Sequence, residues 1–343
     1  MSMTAEQERN YASIILRLLV EGTIDSIEQR NVIWGDLLQI SAQNGVLIRV
    51  VDQLETIGLE PRHFFSAAVR EMRARNQRKL ALINHISERC TTSNIDFIFP
   101  KALQSYPDMP GDIDLYVTGT SLDIDRVILK GLQTKALKRT LRNRIEGTAN
   151  YMVHGCDAPL EIHHGRVGLA GEHKSYISRL VENAVHARAD GQDFVVPSPE
   201  DQLVLQALQR LVQRSYLRLS DVATTIGLVA RNELNWEYVV RTVKELNIVY
   251  GLSCYLSFVE QIYREAFKDY LLPAGFLVPV TADMPRIEFS GGFFRFKRIE
   301  VGGRELANKF CSAMLAEDWA IASRLSLLPV VAMSTVFRKL SSS

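Results

Sequence analysis

A short acidic strand constrains the fold of this chain more than any other sequence feature. Residues 111–117 read Gly-Asp-Ile-Asp-Leu-Tyr-Val and follow a turn-forming stretch at 106–110 that contains two prolines. Alternate side chains of a strand point to opposite faces, so Asp112 and Asp114 are predicted to share one face while their apolar neighbours enter the core. The fold must therefore contain a sheet with one buried face and with carboxylates on the other face.

The paired carboxylates suggest a divalent metal site. Two like charges this close raise each other's pKa and repel unless a cation lies between them. Oxygen ligands suit Mg²⁺ or Mn²⁺ better than zinc. Gly111 precedes the pair and lets a ligand approach the backbone closely. The alternative is that the pair is merely the solvated face of a strand, because Asp-x-Asp also occurs by chance.

A third carboxylate lies on a later predicted strand. Glu161 stands between Leu160 and Ile162, in the alternating pattern of a half-buried strand. Facing side chains on adjacent strands lie about 5 Å apart, so Glu161 could complete a cluster with Asp112 and Asp114. A three-carboxylate cluster can hold two metals about 3.5–4 Å apart, as in-line phosphoryl displacement requires.

Composition limits the classes of protein to which the chain can belong. Its 343 residues suit two or three domains, and a formal net charge of +1 gives no chain-wide field to attract nucleic acid. The N-terminus lacks the pattern of a signal peptide, and no stretch approaches the roughly 20 apolar residues of a membrane span. Four widely spaced cysteines are predicted to be reduced thiols (Cys90, Cys156, Cys254 and Cys311). We therefore expect a cytoplasmic protein without a membrane segment.

The periodicity of apolar residues predicts an α+β fold, with a small mixed β-sheet core and helical N-terminal and C-terminal regions. The predicted regions are a helical N-terminal region at 1–90, an α/β core at 91–195, a helical region at 196–270 and a mixed C-terminal region at 271–343. Within the core we predict strands at 95–100, 111–117, 151–154 and 160–163, and a helix at 122–141. The C-terminal region is predicted to hold a hairpin at 286–297 and a closing helix at 304–322.

Several further segments accompany the acidic strand in a fixed order. They are Trp34-Gly35-Asp36-Leu37-Leu38, Ala42-Gln43-Asn44-Gly45-Val46, Arg75-Asn76-Gln77-Arg78-Lys79-Leu80, Leu160-Glu161-Ile162-His163, Ser198-Pro199-Glu200-Asp201-Gln202-Leu203 and Leu219-Ser220-Asp221-Val222-Ala223. In this order, and with Gly-Asp-Ile-Asp-Leu as the most specific piece, the chain resembles the uncharacterised nucleotidyltransferase family within the DNA polymerase beta superfamily. The resemblance extends to about residue 270.

The resemblance implies a Mg²⁺-dependent transfer of a nucleoside monophosphate from NTP to an acceptor hydroxyl, with release of pyrophosphate. By position, Asp112 and Asp114 would hold the metal that binds the triphosphate. Glu161 would join them at a second metal and could help to deprotonate the acceptor. Lys101 would approach a phosphate, and Ala102 occupies the place of the loop that cradles the phosphates. Acceptors in the wider superfamily are small molecules, proteins or RNA ends, and some members are toxins of toxin–antitoxin systems, which is compatible with a partner protein.

Two departures from the family pattern favour alternatives. Ala102-Leu103 stands where glycine and a second small residue are usual, and residues 108–110 lack the arginine that precedes the acidic motif. These changes are compatible with a degenerate fold that serves as a binding or assembly module. A metal-dependent glycosyltransferase also carries Asp-x-Asp, but it normally opens with a nucleotide-binding βα unit rather than with helices.

Two basic stretches offer candidates for phosphate binding. Lys135, Lys138, Arg139 and Arg142 recur at helical spacing, with Arg144 close behind, and could hold a triphosphate or a polynucleotide backbone. A second stretch occupies residues 70–79. The alternative for both is a solvated helix face. The histidines match no zinc spacing, although His163 is predicted to share the face of Glu161.

Overall fold

A five-stranded mixed sheet lies at the centre of the chain and positions the site. The computed structural model describes residues 3–25, 30, 32–59, 63–119, 122–168, 170–213, 216–231, 234–273 and 286–328. The sheet has the order β1-β2-β5-β4-β3, in which β2 and β5 are parallel and the other pairs antiparallel. Its strands are β1 (Phe97–Ile98), β2 (Ile113–Val117), β3 (Thr134–Ala136), β4 (Thr148–Val153) and β5 (Pro159–His164). The predicted α+β fold with a small mixed sheet is confirmed.

The strand register separates the apolar face of the sheet from the polar one. Ile113 and Leu115 of β2 pack with Leu160 and Ile162 of β5 in one buried core, as the alternation predicts. The long helix α4 (His63–Thr92) contributes Ile83 and its neighbours to the same core. The residues between these positions therefore project from the opposite face.

Helices precede and follow the central sheet in the sequence. The predicted helical N-terminal region contains α1 (Ala5–Glu21), α2 (Trp34–Gln43), α3 (Leu47–Thr56) and α4. Thr4 begins α1 with a capping box, in which Gln7 is the reciprocal partner. The later helices are α5 (Leu122–Ile128), α6 (Leu141–Glu146), α7 (Tyr176–Glu182), α8 (Pro199–Gln213), α9 (Leu219–Ala230), α10 (Trp236–Glu245), α11 (Val249–Phe267) and α12 (Arg298–Leu315). A second large core joins α1–α3 to α8–α11.

Short strands complete the described chain. A hairpin of β6 (Val185–Ala189) and β7 (Gln192–Val196) follows α7, and β8 (Tyr216–Leu217) pairs with the hairpin of β9 (Glu288–Ser290) and β10 (Phe293–Arg295). The predicted hairpin around Gly291 is thus confirmed. Residues 274–285 and 329–343 of the predicted C-terminal region lie outside the described residues.

Three of the sequence-based element assignments are wrong. The predicted helix at 122–141 ends at Ile128, because Gly131 turns the chain at a positive φ of 86° and residues 134–136 then pair with β4. The β6–β7 hairpin was not predicted at all. The closing helix begins at Arg298 rather than at 304 and ends at Leu315, and residues 319–328 form a separate helical stretch. In the described part of the chain, none of the helices has the length and apolar character needed to cross a membrane.

Candidate metal centre

Three side chains converge on the polar face of the sheet. Asp114 of β2 lies directly opposite Glu161 of β5, and His163 is two residues further along β5. One ligand atom from each of the three lies within 4.8 Å of the other two. His163 Nε2 is 3.7 Å from Asp114 Oδ1 and 4.0 Å from Glu161 Oε2. Asp114 is buried, whereas the other two are partly exposed, so the cluster is open to a ligand on one side.

The charge of Asp114 is set by its neighbours. Burial alone would raise the pKa of this carboxyl, but the ammonium group of Lys101 and the hydrogen bond and charge of His163 together hold the pKa below its usual value. Lys101 lies in the turn after β1, and its Nζ forms an ion pair with Asp114 Oδ2. Asp114 therefore remains ionised at neutral pH and is ready to bind a cation.

An aromatic contact fixes the orientation of His163. The ring of Tyr116 packs against the imidazole with centroids 4.5 Å apart. Tyr116 is fully buried, and its hydroxyl accepts a hydrogen bond of 3.1 Å from Gln209 Nε2 of α8. Burial raises the pKa of Tyr116 well above its usual value, so the phenol stays neutral. Through Tyr116, α8 thus helps to hold the His163 ring in place.

The turn before β2 is held by the long helix α4. Asn76 Nδ2 donates a hydrogen bond of 2.5 Å to the carbonyl of Pro107, and Lys79 Nζ donates one of 2.5 Å to the carbonyl of Pro110. Both carbonyls belong to the segment that leads into the acidic strand. These contacts fix the entry of the chain into β2 and hence the position of Asp114.

The same turn is tied to the N-terminal helices by a buried aspartate. Asp108 Oδ1 accepts a hydrogen bond of 2.8 Å from the backbone N–H of Ile48, and Oδ2 accepts bonds of 3.1 Å from the backbone N–H and the Nε of Arg49. These are orphan N–H groups in the first turn of α3. Asp108 therefore caps a helix that lies 60 residues earlier in sequence. This structural role explains why residue 108 is acidic. It lies in the segment 108–110, where the family resemblance predicts an arginine.

Three further predicted site residues lie in the turns that precede β2 or follow β1. Among the described residues, the three-residue group does not include Asp112, which lies in the turn directly before β2. Gly111 is exposed and has open space at its Cα. Ala102 is buried and packs in the core beneath the sheet, so its methyl group faces away from the polar face. The structure thus brings Asp114 and Glu161 together with His163.

The basic candidates lie just beyond the β3 edge of the sheet and in α6. Lys138 is exposed between β3 and α6. Arg142 of α6 forms an ion pair with Glu146, with 2.7 Å between Arg142 Nε and Glu146 Oε1. Sequence reasoning did not single out Glu146, although it is the first acidic residue after the basic stretch. Burial raises the pKa of Glu146 despite the opposing effect of Arg142, and the charges of His163 and Glu161 also act on it.

The three donors suit one divalent cation. Two carboxylate oxygens and one imidazole nitrogen from adjacent strands lie within 4.8 Å of one another. Carboxylates are the usual ligands of Mg²⁺ and Mn²⁺, and an imidazole nitrogen is a more frequent ligand of transition metals than of Mg²⁺. The residues present therefore fit a divalent metal, and the nitrogen donor makes Mn²⁺ a suitable probe.

Comparison with known proteins identifies one family. A family model described as uncharacterised nucleotidyltransferase matches residues 30–264, which is more than half of the chain and includes the whole sheet. No curated protein and no solved structure matches the chain significantly.

Proposed function

The chain belongs to the uncharacterised nucleotidyltransferase family, and from this premise we propose that it transfers a nucleoside monophosphate from NTP to an acceptor hydroxyl. The observation that carries the proposal is the pairing of Asp114 with Glu161 across two parallel strands, with His163 beside them. We propose Mg²⁺ or Mn²⁺ as the metal, held by these three residues. When bound, a divalent cation at this site would neutralise phosphate charge.

The residues around the cluster have separate roles in this proposal. The acceptor oxygen forms a bond to the α-phosphorus, the bond from that phosphorus to the bridging oxygen breaks, and pyrophosphate leaves. Glu161 is partly exposed and is proposed to take the proton of the acceptor hydroxyl. Lys101 is proposed to donate to the phosphates that leave. Asp112 is proposed as a further ligand that approaches from the turn before β2.

The backbone near Lys101 and before the acidic strand completes the proposed nucleotide site. Ala102 is turned into the core, so its backbone rather than its side chain would face the phosphates. Gly111 leaves open space for a ligand. Three buried cysteines of the described chain, Cys90, Cys156 and Cys254, form no disulfide, which is compatible with the proposed cytoplasmic location.

Labelled nucleotides test the proposal. Purified protein is incubated with cell extract, Mg²⁺ or Mn²⁺, and NTPs labelled at either the α- or the γ-phosphorus. We expect label from the α position in an acceptor, release of pyrophosphate, and loss of both with Asp114→Asn. Asp96→Asn is the matched control, since Asp96 is an exposed aspartate just before β1. Transfer of the γ label, or undiminished labelling by Asp114→Asn, would contradict the proposal.

The second candidate is a nucleotidyltransferase fold that binds without catalysis. The burial of Ala102 and the bulk of Leu103 favour it, because the usual small residues of the phosphate loop are absent. This alternative predicts neither metal-dependent binding of NTP by calorimetry nor transfer of the α label. The same labelling experiment therefore separates the two functions.

A further inference from the structure

An exposed basic segment forms the edge of the sheet beside the proposed site. No aspartate or glutamate occurs from Gly131 to Ile145. Residues 133–142 are all exposed, although β3 lies among them. We call the five cations of this segment the basic edge: Lys135, Lys138, Arg139, Arg142 and Arg144. The rest of the chain has 35 basic and 39 acidic residues, a net charge of −4, so the basic edge accounts for the positive balance of the whole chain.

The two basic stretches of the sequence differ in how their charges are paired. On α4, Arg73 pairs with Asp52, while Arg75 and Arg78 both pair with Asp157. Three arginines of that stretch thus have carboxylate partners.

The basic edge is neutralised only in part. Arg142 pairs with Glu146, and Arg139 Nε donates a hydrogen bond of 3.0 Å to the carbonyl of Thr148. Within the described chain, no carboxylate forms an ion pair with Lys135, Lys138 or Arg144. Unpaired cations on an exposed edge attract a polyanion, because binding releases counterions from it.

The strand register places the basic edge on the opposite side of the carboxylates from Lys101. Glu161 pairs with Asn150 of β4, and the carbonyl of Asn150 accepts a hydrogen bond of 2.8 Å from the N–H of Leu137, just after β3. Two strand spacings, roughly 10 Å, therefore separate Glu161 from the basic edge. Lys101 reaches Asp114 from the turn after β1, at the other edge of the sheet.

We propose that the acceptor is a single-stranded polynucleotide whose phosphates lie along the basic edge and whose terminal hydroxyl faces Glu161. In-line displacement places the attacking oxygen and the leaving pyrophosphate on opposite sides of the phosphorus. With Lys101 on the pyrophosphate side, the acceptor arrives from the side of the basic edge. Lys138 and Arg142 then serve the acceptor rather than the NTP. The acceptor role rests on the proposed function, whereas the binding surface does not.

The composition of this segment also indicates how strongly it depends on the base sequence of the bound polynucleotide. Residues 131–147 contain no aromatic side chain, so bases have no stacking platform there. Arginine and lysine contacts to phosphate carry no sequence information. The basic edge therefore binds single strands with little sequence preference.

Fluorescence anisotropy of labelled single-stranded RNA and DNA, without metal or NTP, tests the surface. The triple variant Lys135→Ala/Lys138→Ala/Arg144→Ala removes three exposed side chains. The control Arg73→Ala/Arg75→Ala/Arg78→Ala changes the net charge by the same amount on α4, where all three arginines have carboxylate partners. We expect the first variant to bind at least about tenfold more weakly and its salt dependence to fall by about 2 in log–log slope, at about 0.7 per phosphate contact. The control should bind like wild type, and thermal melting checks that both variants fold.

Further results distinguish the binding surface from the proposed transfer reaction. Equal weakening by both triple variants, no salt-dependent binding, or equal binding of polyaspartate would overturn the polynucleotide surface. Asp114→Asn should still bind the strand. If the strand binds but receives no α label, the proposed function fails while the surface remains. If a different acceptor is labelled and the strand does not bind, only the inference about the polynucleotide fails.

Discussion

At the scale of single residues, the buried carboxyl of Asp114 depends on the cations beside it. Burial disfavours its charged form, and Lys101 together with His163 reverses that effect. Lys101 thus stabilises the carboxylate, yet its ammonium group pairs with Oδ2 of the same carboxylate that is proposed to bind a metal. The two roles of Asp114, ion pair and metal ligand, compete.

Replacing Lys101 separates these two roles. Lys101→Met removes a positive charge next to Asp114. We expect Mn²⁺ to bind the nucleotide-free protein at least about fivefold more tightly, since two unit charges about 4 Å apart interact by about 1 kcal/mol even at the dielectric constant of water. Binding of NTP in the presence of metal should weaken, because the phosphates lose a donor. Calorimetric titration measures both affinities. Unchanged Mn²⁺ affinity would show that the ammonium does not compete with the metal.

At the scale of elements, side chains from distant segments hold the acidic strand in place. Asp108 caps α3, and Asn76 and Lys79 of α4 bind the carbonyls of the same turn. The backbone of the turn is thereby fixed between two helices. Its position determines where β2 begins and where Asp114 projects.

Removing the cap of α3 should destabilise the protein. Asp108→Ala leaves the N–H groups of Ile48 and Arg49 without their acceptor, so we expect a loss of about 2 kcal/mol in the free energy of unfolding. Urea denaturation measures this loss. Asp123→Ala is the control, because Asp123 forms an exposed pair with Arg126 and should change stability little. Equal losses in the two variants would contradict the capping role.

Local patterns predicted the elements that depend on local signals. The alternation in residues 113–117 and 160–163 correctly identified two strands, and their parallel pairing is a finding of the structure. Helical spacing correctly identified the helices of the N-terminal region. Helical spacing of leucine and basic residues at 122–141 was misleading, since pairing of β3 with β4 outweighs a weak local preference. The β6–β7 hairpin turns at Asp190-Gly191, a dipeptide that favours two-residue hairpin turns and that could have predicted this hairpin.

The candidate site was predictable in part. The alternation alone predicts that Asp114 and Glu161 lie on strands and project from the face opposite their apolar neighbours. The third donor, His163, follows from the same alternation, but a single histidine has too many ordinary roles for the sequence to select it. Asp112 shows the limit of the pattern, because β2 begins one residue after it and strand alternation does not extend to the turn.

At the scale of the whole molecule, a buried ion pair joins the C-terminal helix to the sheet region. Lys309 Nζ of α12 lies 2.5 Å from Glu172 Oε1 and 3.3 Å from His173 Nε2, in the segment after β5. The other oxygen of Glu172 accepts a hydrogen bond of 2.9 Å from the N–H of Ala170. Both charged side chains are nearly inaccessible to solvent, so neither can be left alone without a large cost.

Breaking this pair should loosen α12. Lys309→Met leaves Glu172 buried without its partner, and we expect a loss of about 3–5 kcal/mol in the free energy of unfolding. Lys297→Met is the matched control, since Lys297 pairs with Glu300 on the surface. Denaturant unfolding compares the two. A loss no larger than that of the control would mean that the pair contributes little.

The same cluster predicts a pH dependence of stability. Despite burial, Lys309 lowers the pKa of Glu172 from 4.5 to about 2, so the stabilisation is complete above pH 4.5 and is lost as the pH falls towards 2. Burial and Lys309 lower the pKa of His173 from 6.5 to about 4, so the unfolded chain takes up a proton that the folded chain does not between pH 6.5 and 4. Both effects reduce stability on acidification.

Thermal melting across pH tests this assignment. We expect the Tm to fall from pH 7 to pH 4, and His173→Gln to remove part of that fall between pH 6.5 and 4. The exposed His154 provides the control variant His154→Gln, which should follow wild type. A pH profile of His173→Gln that coincides with wild type would exclude His173 as a contributor.

Binding of Mn²⁺ tests the central claim, a metal centre at Asp114, Glu161 and His163, most directly. Electron paramagnetic resonance of Mn²⁺ titrated into the protein distinguishes free from bound ion without any nucleotide or acceptor. A metal centre at these residues predicts saturable binding by wild type and by Asp96→Asn, and affinities lower by at least about tenfold, or about 1.4 kcal/mol, for Asp114→Asn and Glu161→Gln. Wild-type affinity in Asp114→Asn, or no saturable binding by the wild-type protein, would contradict it.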